Sequence, residues 1–255
     1  MRGRQTSSPE TALTPGTLPA EKSSFLAHNA LFRQLNAQDA RALDQITTSL
    51  TCSPGRILYR PGEANTALFF IQTGSMQLYH LSTDGRKLIT ATLGSGTCCG
   101  EQCLWGQPIY TSFAEATTTT ILFALNTSDL ANLLLHHPAI SFILMQMIGQ
   151  RLTSLETQLV NTTFKSVTAR LADLLLQLAS APTSQANQPL IVNGLSHEEL
   201  ADRLGVYRET VSAALRELKE LQAIQPGRKR ITIHRPDLLQ QVAQTSSKTG
   251  LHRRE

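Results

Sequence analysis

The chain has 255 residues, of which 41% are hydrophobic and 16% charged, and its formal net charge is +4. That length suits one large domain or two ordinary ones, and that composition excludes a chain that is disordered throughout. No apolar run reaches the ~18 residues that crossing a bilayer requires, and the N-terminus lacks the apolar stretch of a secretory signal. We therefore expect a cytoplasmic protein with no membrane partner.

The positive excess lies in the last third of the chain. Residues 1–163 contain ten Lys or Arg and ten Asp or Glu, whereas residues 164–255 contain thirteen and nine. A basic excess confined to one region is typical of a protein that meets nucleic acid or another anionic surface there. This charge pattern indicates that the C-terminal region is the part of the chain that meets such a partner.

The N-terminal half of the chain passes from an arm to short helices and then to strands. Residues 1–24 are rich in Ser, Thr and Pro, which predicts a disordered arm. Leu31–Leu50 is compatible with short helices, and Asn36 is a suitable N-cap before AQDARALDQI. From about Thr51, short apolar runs alternate with turn sequences, and Asp84-Gly85 predicts a hairpin between two of them. Several short strands with regular turns indicate a sandwich, roll or barrel.

A long helix follows the strands, and its apolar residues recur three and four positions apart. This spacing is typical of the seam between two paired helices. The narrow seam favours pairing with a second copy of the chain, while an amphipathic helix packed on its own domain stays the alternative. The seam consists of Met145, Ile148, Leu152, Leu155 and Leu159.

Two short helices near the C-terminus have the pattern of a helix-turn-helix. Another amphipathic helix, Lys165–Ala179, and a polar loop precede them. Ser196 and Glu199 form a capping box that opens the helix His197–Leu204, and Gly205 ends that helix. A second helix, Tyr207–Leu221, follows at once. In this motif the second helix enters the major groove by its N-terminal residues.

The side chains at the start of that second helix suit base recognition. Arg208 can bond a guanine at O6 and N7, and Glu209 can accept a hydrogen bond from the N4 amino group of a cytosine. The hydroxyls of Thr210 and Ser212 suit contacts with phosphates or base edges. A basic hairpin resembling a wing follows. The alternative is a solvated Arg208–Glu209 pair on a surface helix. The candidate DNA-binding residues are Ser196, Tyr207, Arg208, Glu209, Thr210, Ser212, Arg228, Lys229 and Arg230.

Three segments together resemble the cyclic-AMP receptor protein/FNR family of bacterial transcription regulators over about residues 25–240. They are GEANTALFFIQTGSMQLY, GSGTCCGEQCLW and LSHEELADRLGVYRETVSAALRELK. The resemblance implies an α+β protein with a cyclic-nucleotide-binding-like β-roll (25–135), a dimerisation helix (136–163), a winged helix-turn-helix (164–240) and a tail (241–255). It also implies a homodimer on a near-palindromic double-stranded DNA site, with RNA polymerase as a further partner. An effector or redox signal at the roll would control DNA affinity through the dimer helix.

The resemblance also identifies departures from the family pattern. Gly100-Glu101 matches the family's phosphate- and ribose-binding pair, but its Arg-Ser pair is replaced by Thr111-Ser112, and its adenine-contacting pair falls on Leu155-Glu156. Without a guanidinium the cyclic phosphate loses its charge partner, so we expect that cyclic AMP is not the effector. Ala213 stands where the family has a further base-contacting arginine.

The four cysteines leave two interpretations open. Cys52, Cys98, Cys99 and Cys103 could supply four thiolates to an iron–sulfur cluster, or they could sense redox state as thiols. Their spacing matches neither the usual cluster sequences nor a zinc knuckle, and small buried core residues are the other interpretation. No catalytic constellation is present, so we expect no enzyme, and an enzyme or scaffold built on the roll is the remaining alternative.

Overall fold

A computed structural model of the protein describes Phe32, residues 35–179 and residues 190–245. The predicted arm and most of the predicted tail lie outside these residues. Contacts divide the described chain into two compact units. The first comprises residues up to Leu78 together with Thr92–Ile148, and the second comprises Tyr79–Ala91 together with the residues from Gly149 onward.

Two four-stranded sheets confirm the predicted β-roll. Their strand orders are β1-β8-β3-β6 and β2-β7-β4-β5. The turns between strands carry glycines with positive φ, as the sequence pattern requires. The strands are β1 (Thr47–Cys52), β2 (Ile57–Tyr59), β3 (Ala67–Thr73), β4 (Ser75–Leu81), β5 (Lys87–Gly94), β6 (Cys98–Cys99), β7 (Phe113–Ala116) and β8 (Thr120–Asn126).

The segment before the roll corrects one prediction. Helix α1 (Ala37–Ile46) begins after Asn36, whose side chain accepts from the Asp39 amide, so the predicted N-cap is confirmed. The helical interpretation is wrong beyond Ile46, because Thr47–Cys52 is strand β1, paired antiparallel with β8. Threonines are compatible with either structure locally, and the partner strand decides between them.

Two helices connect the roll to the seam. Helix α2 (Thr127–His136) is followed by α3 (Pro138–Phe164), so the predicted long helix begins at a proline, a favoured first helical residue. The first turns of α3 bury Ile140 and Leu144 against Leu68 and Phe70 of β3. No single helix among the described residues is long and apolar enough to cross a membrane. The α2–α3 pair meets that test only jointly, with a 114° bend between the two helices.

The second unit contains a winged helix-turn-helix. Its helices pack on a three-stranded sheet of order β10-β11-β9. The elements are α4 (Val167–Leu178), β9 (Leu190–Asn193), α5 (His197–Leu204), α6 (Arg208–Glu220), β10 (Ile224–Gly227), β11 (Arg230–Ile233) and α7 (Pro236–Gln244). Leu200 of α5 and Val211, Leu215 and Leu218 of α6 are buried in one core, as the apolar pattern predicts.

Three boundaries in this unit differ slightly from the predictions. Helix α4 begins at Val167 because Ser166 is its N-cap and accepts from the Ala169 amide at 3.1 Å. Helix α6 is one residue shorter at each end, since Tyr207 and Leu221 are its caps. Helix α7 continues past residue 240, the predicted start of the tail, because Ala243 is buried in the domain core.

Candidate nucleic-acid interface

Local hydrogen bonds fix the first helix of the helix-turn-helix. The Ser196 hydroxyl accepts from the Glu199 amide at 3.2 Å, and the Ser196 amide donates to Glu199 Oε2 at 2.7 Å. These bonds complete the predicted capping box, and the bond from the Ser196 amide lowers the pKa of Glu199 below its usual range. At the other end Gly205 has φ +66°, the left-handed conformation that ends a helix at low cost in a glycine. Ser196 is thus engaged in capping.

The first turn of α6 presents the predicted DNA-binding side chains. Tyr207, Arg208, Glu209 and Thr210 are all exposed, while the next residue, Val211, is fully buried. The buried stripe holds α6 against the domain core and directs the opposite face outward. In this motif, the exposed N-terminal turn of the second helix is the part that contacts base edges in the major groove.

Ser212 has internal hydrogen-bond partners. Its hydroxyl donates to the Arg208 carbonyl at 3.0 Å and lies 2.9 Å from His197 Nδ1. His197 is the first residue of α5, so this contact joins the two helices of the motif. Nothing in the sequence singles out His197, because a lone histidine at a helix start carries no pattern of its own.

The sequence predicts three basic residues at the wing tip, and the structure places two of them there and Arg230 at the start of β11. Gly227 pairs with Arg230 across the β10–β11 hairpin, which leaves Arg228 and Lys229 as its two-residue tip. All three basic residues are exposed. Lys229 has φ +51°, and its carbonyl accepts from the Gly194 amide at 2.8 Å. The wing tip is therefore held to the loop that precedes α5.

A groove of about 340 Å³ brings the helix and the wing together. Arg208 lines it from the helix side and Arg228 and Lys229 from the wing side, and Ser196 and His197 also line it. Three cations around one groove, with Glu198 as the single carboxylate among its lining residues, favour an anionic backbone such as that of DNA. Glu209 lies outside this groove.

The seam residues are largely unburied in the single chain. The exposed fractions are 65% for Met145, 57% for Leu152, 39% for Leu155 and 67% for Leu159, while Ile148 is half-buried. Every residue from 152 to 160 is exposed. An apolar row of this length on a protein surface is characteristic of an interaction site.

Four of the six predicted effector residues, Gly100, Glu101, Thr111 and Ser112, lie in the first unit. Gly100 has φ +81°, and a Cβ there would lie 2.6 Å from the Ala67 carbonyl oxygen, so only glycine fits. It leads into a 3₁₀ helix, Glu101–Trp105, whose Gln102 donates to the Thr111 hydroxyl at 3.4 Å. Ser112 and Glu101 are buried. Leu155 and Glu156 belong to the second unit, where both are exposed.

Two aromatic rings pack next to the predicted effector segment. Tyr110 stacks on Tyr59 with ring centroids 3.8 Å apart, and both rings are buried. The Tyr110 hydroxyl donates to the Ala67 carbonyl, and burial raises its pKa to about 12. Thr111 is uncharged, and Glu101 is an acid. The pocket-segment residues Gly100, Glu101, Thr111 and Ser112 therefore offer no cation to a cyclic phosphate.

The cysteines do not converge. Cys52 lies on edge strand β1 and Cys98 on the opposite edge strand β6, with β8 and β3 between them. At about 4.8 Å per strand, the two edges are roughly 14 Å apart. Within the described residues, no group of three or more His, Cys, Asp or Glu side chains could hold a metal ion. The four-thiolate interpretation is therefore not supported by the structure.

Burial also suppresses thiol reactivity. It raises the pKa of Cys103 to about 11, with the Glu101 carboxylate adding to the effect, and it raises the pKa of Cys52. The thiolate is the form that reacts with oxidants and binds metals, so both thiols are weak nucleophiles near neutral pH. Cys98 and Cys99 are buried on β6. These environments match small core residues.

The fold and the basic groove define a winged helix-turn-helix DNA-binding protein with a cyclic-nucleotide-binding-like roll. The profile of the Crp-like helix-turn-helix domain matches residues 169–242, and that of the cyclic nucleotide-binding domain matches residues 49–137.

Known proteins place the chain in a family. Transcriptional regulator LdrP of Thermus thermophilus is 30% identical over 174 residues, which cover 68% of this chain and 86% of that protein. The CRP-like cAMP-activated global transcriptional regulator of Mycobacterium tuberculosis is 27% identical over 192 residues, which cover 75% of this chain and 86% of that protein. The solved structure of the c-di-GMP responsive global regulator CLP of Xanthomonas campestris shares the fold, with a TM-score of 0.70 and 20% sequence identity. The match covers 78% of this chain and 99% of that one. The chain belongs to the CRP/FNR family of transcriptional regulators.

Proposed function

We propose that this regulator acts as a homodimer that binds a near-palindromic double-stranded DNA site through two copies of α6. The observation that carries the proposal is the groove shared by Arg208 and the wing residues Arg228 and Lys229. Two recognition helices related by a two-fold axis meet half-sites about one helical turn apart, roughly 34 Å. The site would therefore be two inverted half-sites.

Helix α6 and the wing have separate roles in this proposal. Arg208 and Glu209 contact base edges, because they lie in the exposed first turn of α6. The wing residues contact phosphates, because a two-residue hairpin tip reaches the backbone before it reaches base edges. Thr210 contributes a hydroxyl to a phosphate or base edge. Ala213 is exposed and apolar, so the base pair opposite it is read weakly or not at all.

Dimerisation through α3 follows from the exposed seam. Burying a leucine side chain contributes about 1.5–3 kcal/mol relative to leaving it exposed. The seam contains three leucines with between 39% and 67% of their surface exposed in the single chain. A second copy of the same helix would cover this row with a matching row, as in a two-stranded coiled coil.

The signal that controls DNA affinity is not cyclic AMP. The pocket-segment residues contain no cation to balance a cyclic phosphate, and Glu156 would bring a further negative charge if α3 contributed to the pocket. We propose that the effector is another molecule that meets the roll. As a regulator, the protein would contact RNA polymerase and act in the cytoplasm, where the DNA is, and it would catalyse no reaction.

In vitro selection of random duplexes by the purified chain tests the proposal. We expect a selected sequence with inverted repeats about one helical turn apart, and a complex containing two chains by sedimentation. Selection of a single unrepeated motif, or a complex with one chain, would contradict the homodimer. Titration calorimetry with cyclic AMP should detect no binding in the micromolar range, and tight binding would contradict the effector proposal.

A further inference from the structure

The C-terminal half of the seam helix α3 belongs to the same compact unit as the winged helix-turn-helix. This unit includes the chain from Gly149 onward, and α3 ends at Phe164. Lys165 and Ser166 are the two residues that separate α3 from α4. A link of this length has few backbone angles that can rotate, so contacts beside it can fix how the two helices are oriented.

Side-chain contacts hold the start of α4 on both sides of the unit. Lys165 Nζ of the link lies 3.5 Å from Asp173 Oδ2 of α4. Thr168 of α4 is buried, and its hydroxyl donates to Glu217 Oε2 of α6 at 2.5 Å. Helix α4 is therefore bound both to the link that precedes it and to the recognition helix.

Arg170 of α4 bridges the end of α3 and the end of α5. Its Nη1 atom donates to the carbonyl of Leu204, the last residue of α5, over 3.0 Å and to the hydroxyl of Thr162 in α3 over 3.4 Å. The Nη1 atom of a guanidinium carries two protons, so it can serve both acceptors. The bridge thus joins the seam helix to the residue before the Gly205 turn, which leads into α6.

The Leu204 carbonyl is a favourable acceptor for this cation. The last carbonyls of a helix have no partner within that helix, and the helix dipole favours a positive charge beside them. The Arg170 guanidinium is partly withdrawn from water, and this burial lowers the pKa of Arg170 below its usual range. Arg170 therefore differs from the exposed cations of the groove, since its contacts are internal to the unit.

The position of α6 relative to α3 decides which DNA sites a homodimer can bind. Two recognition helices related by a two-fold axis enter the major groove about one helical turn, or about 10–10.5 base pairs, apart. One additional base pair moves a half-site by about 3.4 Å along the duplex and rotates it by roughly 35°. Recognition helices that are held rigidly relative to the seam cannot follow this shift without losing contacts.

We propose that Arg170 is a positioning residue that fixes α6 relative to the seam helix, and so determines the half-site spacing that the regulator accepts. This role rests on the homodimer and the inverted half-sites proposed above. Arg170 acts through the orientation of α6 and not through a contact with DNA. Its loss should therefore widen the range of accepted spacings and leave base preference within each half-site unchanged.

Thr162→Val removes the α3 end of the bridge and keeps the bond from Arg170 to Leu204. Its matched control is Thr163→Val, because Thr163 is also exposed and donates its hydroxyl to the Leu159 carbonyl of its own helix at 2.9 Å. Binding is measured on the in vitro selected duplex and on duplexes whose central spacer is one base pair longer or shorter. The ratio between duplexes is compared, so a general change in affinity or in dimer stability affects every duplex alike.

The spacing ratio should separate the two threonine variants. The wild type and Thr163→Val should lose about tenfold or more in affinity on the altered spacers, because part of the two-site avidity is lost. In Thr162→Val this loss should be about threefold smaller, which is the scale of one hydrogen bond.

Arg170→Gln removes the whole bridge, with Arg235→Gln as its control. Arg235 is an exposed arginine of the same unit and is paired with Asp237 at 3.5 Å, so its substitution changes the net charge equally. Arg170→Gln should reduce the spacing dependence at least as far as Thr162→Val does, and Arg235→Gln should keep it. Base preference, measured with one scrambled half-site at the selected spacing, should be the same in all four variants.

Unchanged spacing dependence in both Thr162→Val and Arg170→Gln would overturn the positioning role. An equal loss of affinity on every duplex would also overturn it, because Arg170 would then support folding or meet phosphate. If Arg170→Gln does not fold, Thr162→Val decides alone. A wild-type chain that selects no inverted repeats would refute the proposed function, and the positioning role with it. A wild-type chain that selects inverted repeats but tolerates altered spacers would overturn the positioning role only.

Discussion

His197 Nδ1 lies 2.9 Å from Ser212 Oγ, a contact between the first residue of α5 and the second turn of the recognition helix. The Ser212 hydroxyl also donates to the Arg208 carbonyl at 3.0 Å. The Ser212 hydroxyl thus has one partner in its own helix and one in α5. Ser212 therefore connects the start of α5 to the first turn of α6.

Ser212→Ala should lower stability more than it changes base preference. The lost contact would reduce the free energy of unfolding by about 0.5–1.5 kcal/mol. His197→Ala should cost a similar amount, and the double variant should cost less than the two single changes added together. Denaturant unfolding measures these values. Thr210→Ala, on the exposed face of the same helix, is the control and should change stability little. A loss of base preference with unchanged stability would contradict this role of Ser212.

The capping box should give α5 a measurable acid sensitivity. The bond from the Ser196 amide lowers the pKa of Glu199 in the folded protein. A lowered folded-state pKa contributes stability that is present above the unfolded value, about 4.3, and is lost as pH falls through the folded value. The stability difference between the wild type and Glu199→Gln should thus be constant above about pH 5 and shrink at lower pH.

The neighbouring residue Glu198 supplies the control for this measurement. It lies in the same first turn but outside the capping box, so Glu198→Gln removes a charge from this turn and leaves the hydrogen bonds between Ser196 and Glu199 in place. Ser196→Ala should remove the cap itself at a cost of about 1 kcal/mol at neutral pH. Denaturant titrations between pH 3 and pH 7 would reveal the difference. Equal pH profiles for the two glutamine variants would show that the box does not hold the carboxylate.

Leu152→Lys combined with Leu155→Lys should convert the dimer to monomers. Two lysines in each helix would place like charges along the seam, where they would lose water without gaining a partner. Sedimentation velocity measures the change. The control is Leu135→Lys combined with Leu221→Lys, which adds the same charge at leucines that are 79% and 43% exposed and lie outside the seam. If the seam variant sediments as a dimer, the dimer forms through another surface.

The structure confirms the elements that the sequence predicts from short local patterns. The capping box, the Gly205 turn and the Asp84-Gly85 hairpin depend on a few adjacent residues, so short-range chemistry defines them. Strand β1 depends on pairing with β8, about 70 residues later in the chain. The Arg86 guanidinium carbon lies 4.7 Å from the centroid of the Tyr207 ring, and no spacing in the sequence indicates this contact between distant segments. Likewise, the spacing of the cysteines gave no sign that Cys52 and Cys98 lie on opposite edges of one sheet.

Substitutions of Arg208 and Lys229 should change DNA binding in different ways, although both are cations lining one groove. Arg208→Ala removes a side chain from the exposed first turn of α6, where bidentate contact with a guanine is possible. It should cost ~1–3 kcal/mol on the selected duplex and relax preference at one base pair per half-site. Lys229→Asn should weaken binding to all sequences about equally and reduce the salt slope by about one phosphate per subunit. Asparagine suits this position, because it tolerates the positive φ of Lys229 better than alanine does.

Glu209→Ala completes the comparison, because it removes a negative charge from the same turn as Arg208. Affinity for scrambled DNA should rise as the repulsion from phosphates is lost, while discrimination at the cytosine position should fall. Binding to selected and scrambled duplexes at three salt concentrations separates the three variants. If Arg208→Ala lost affinity equally on both duplexes, Arg208 would contact phosphate rather than a base. In that case the first turn of α6 would not read sequence, and specificity would have to arise from DNA shape.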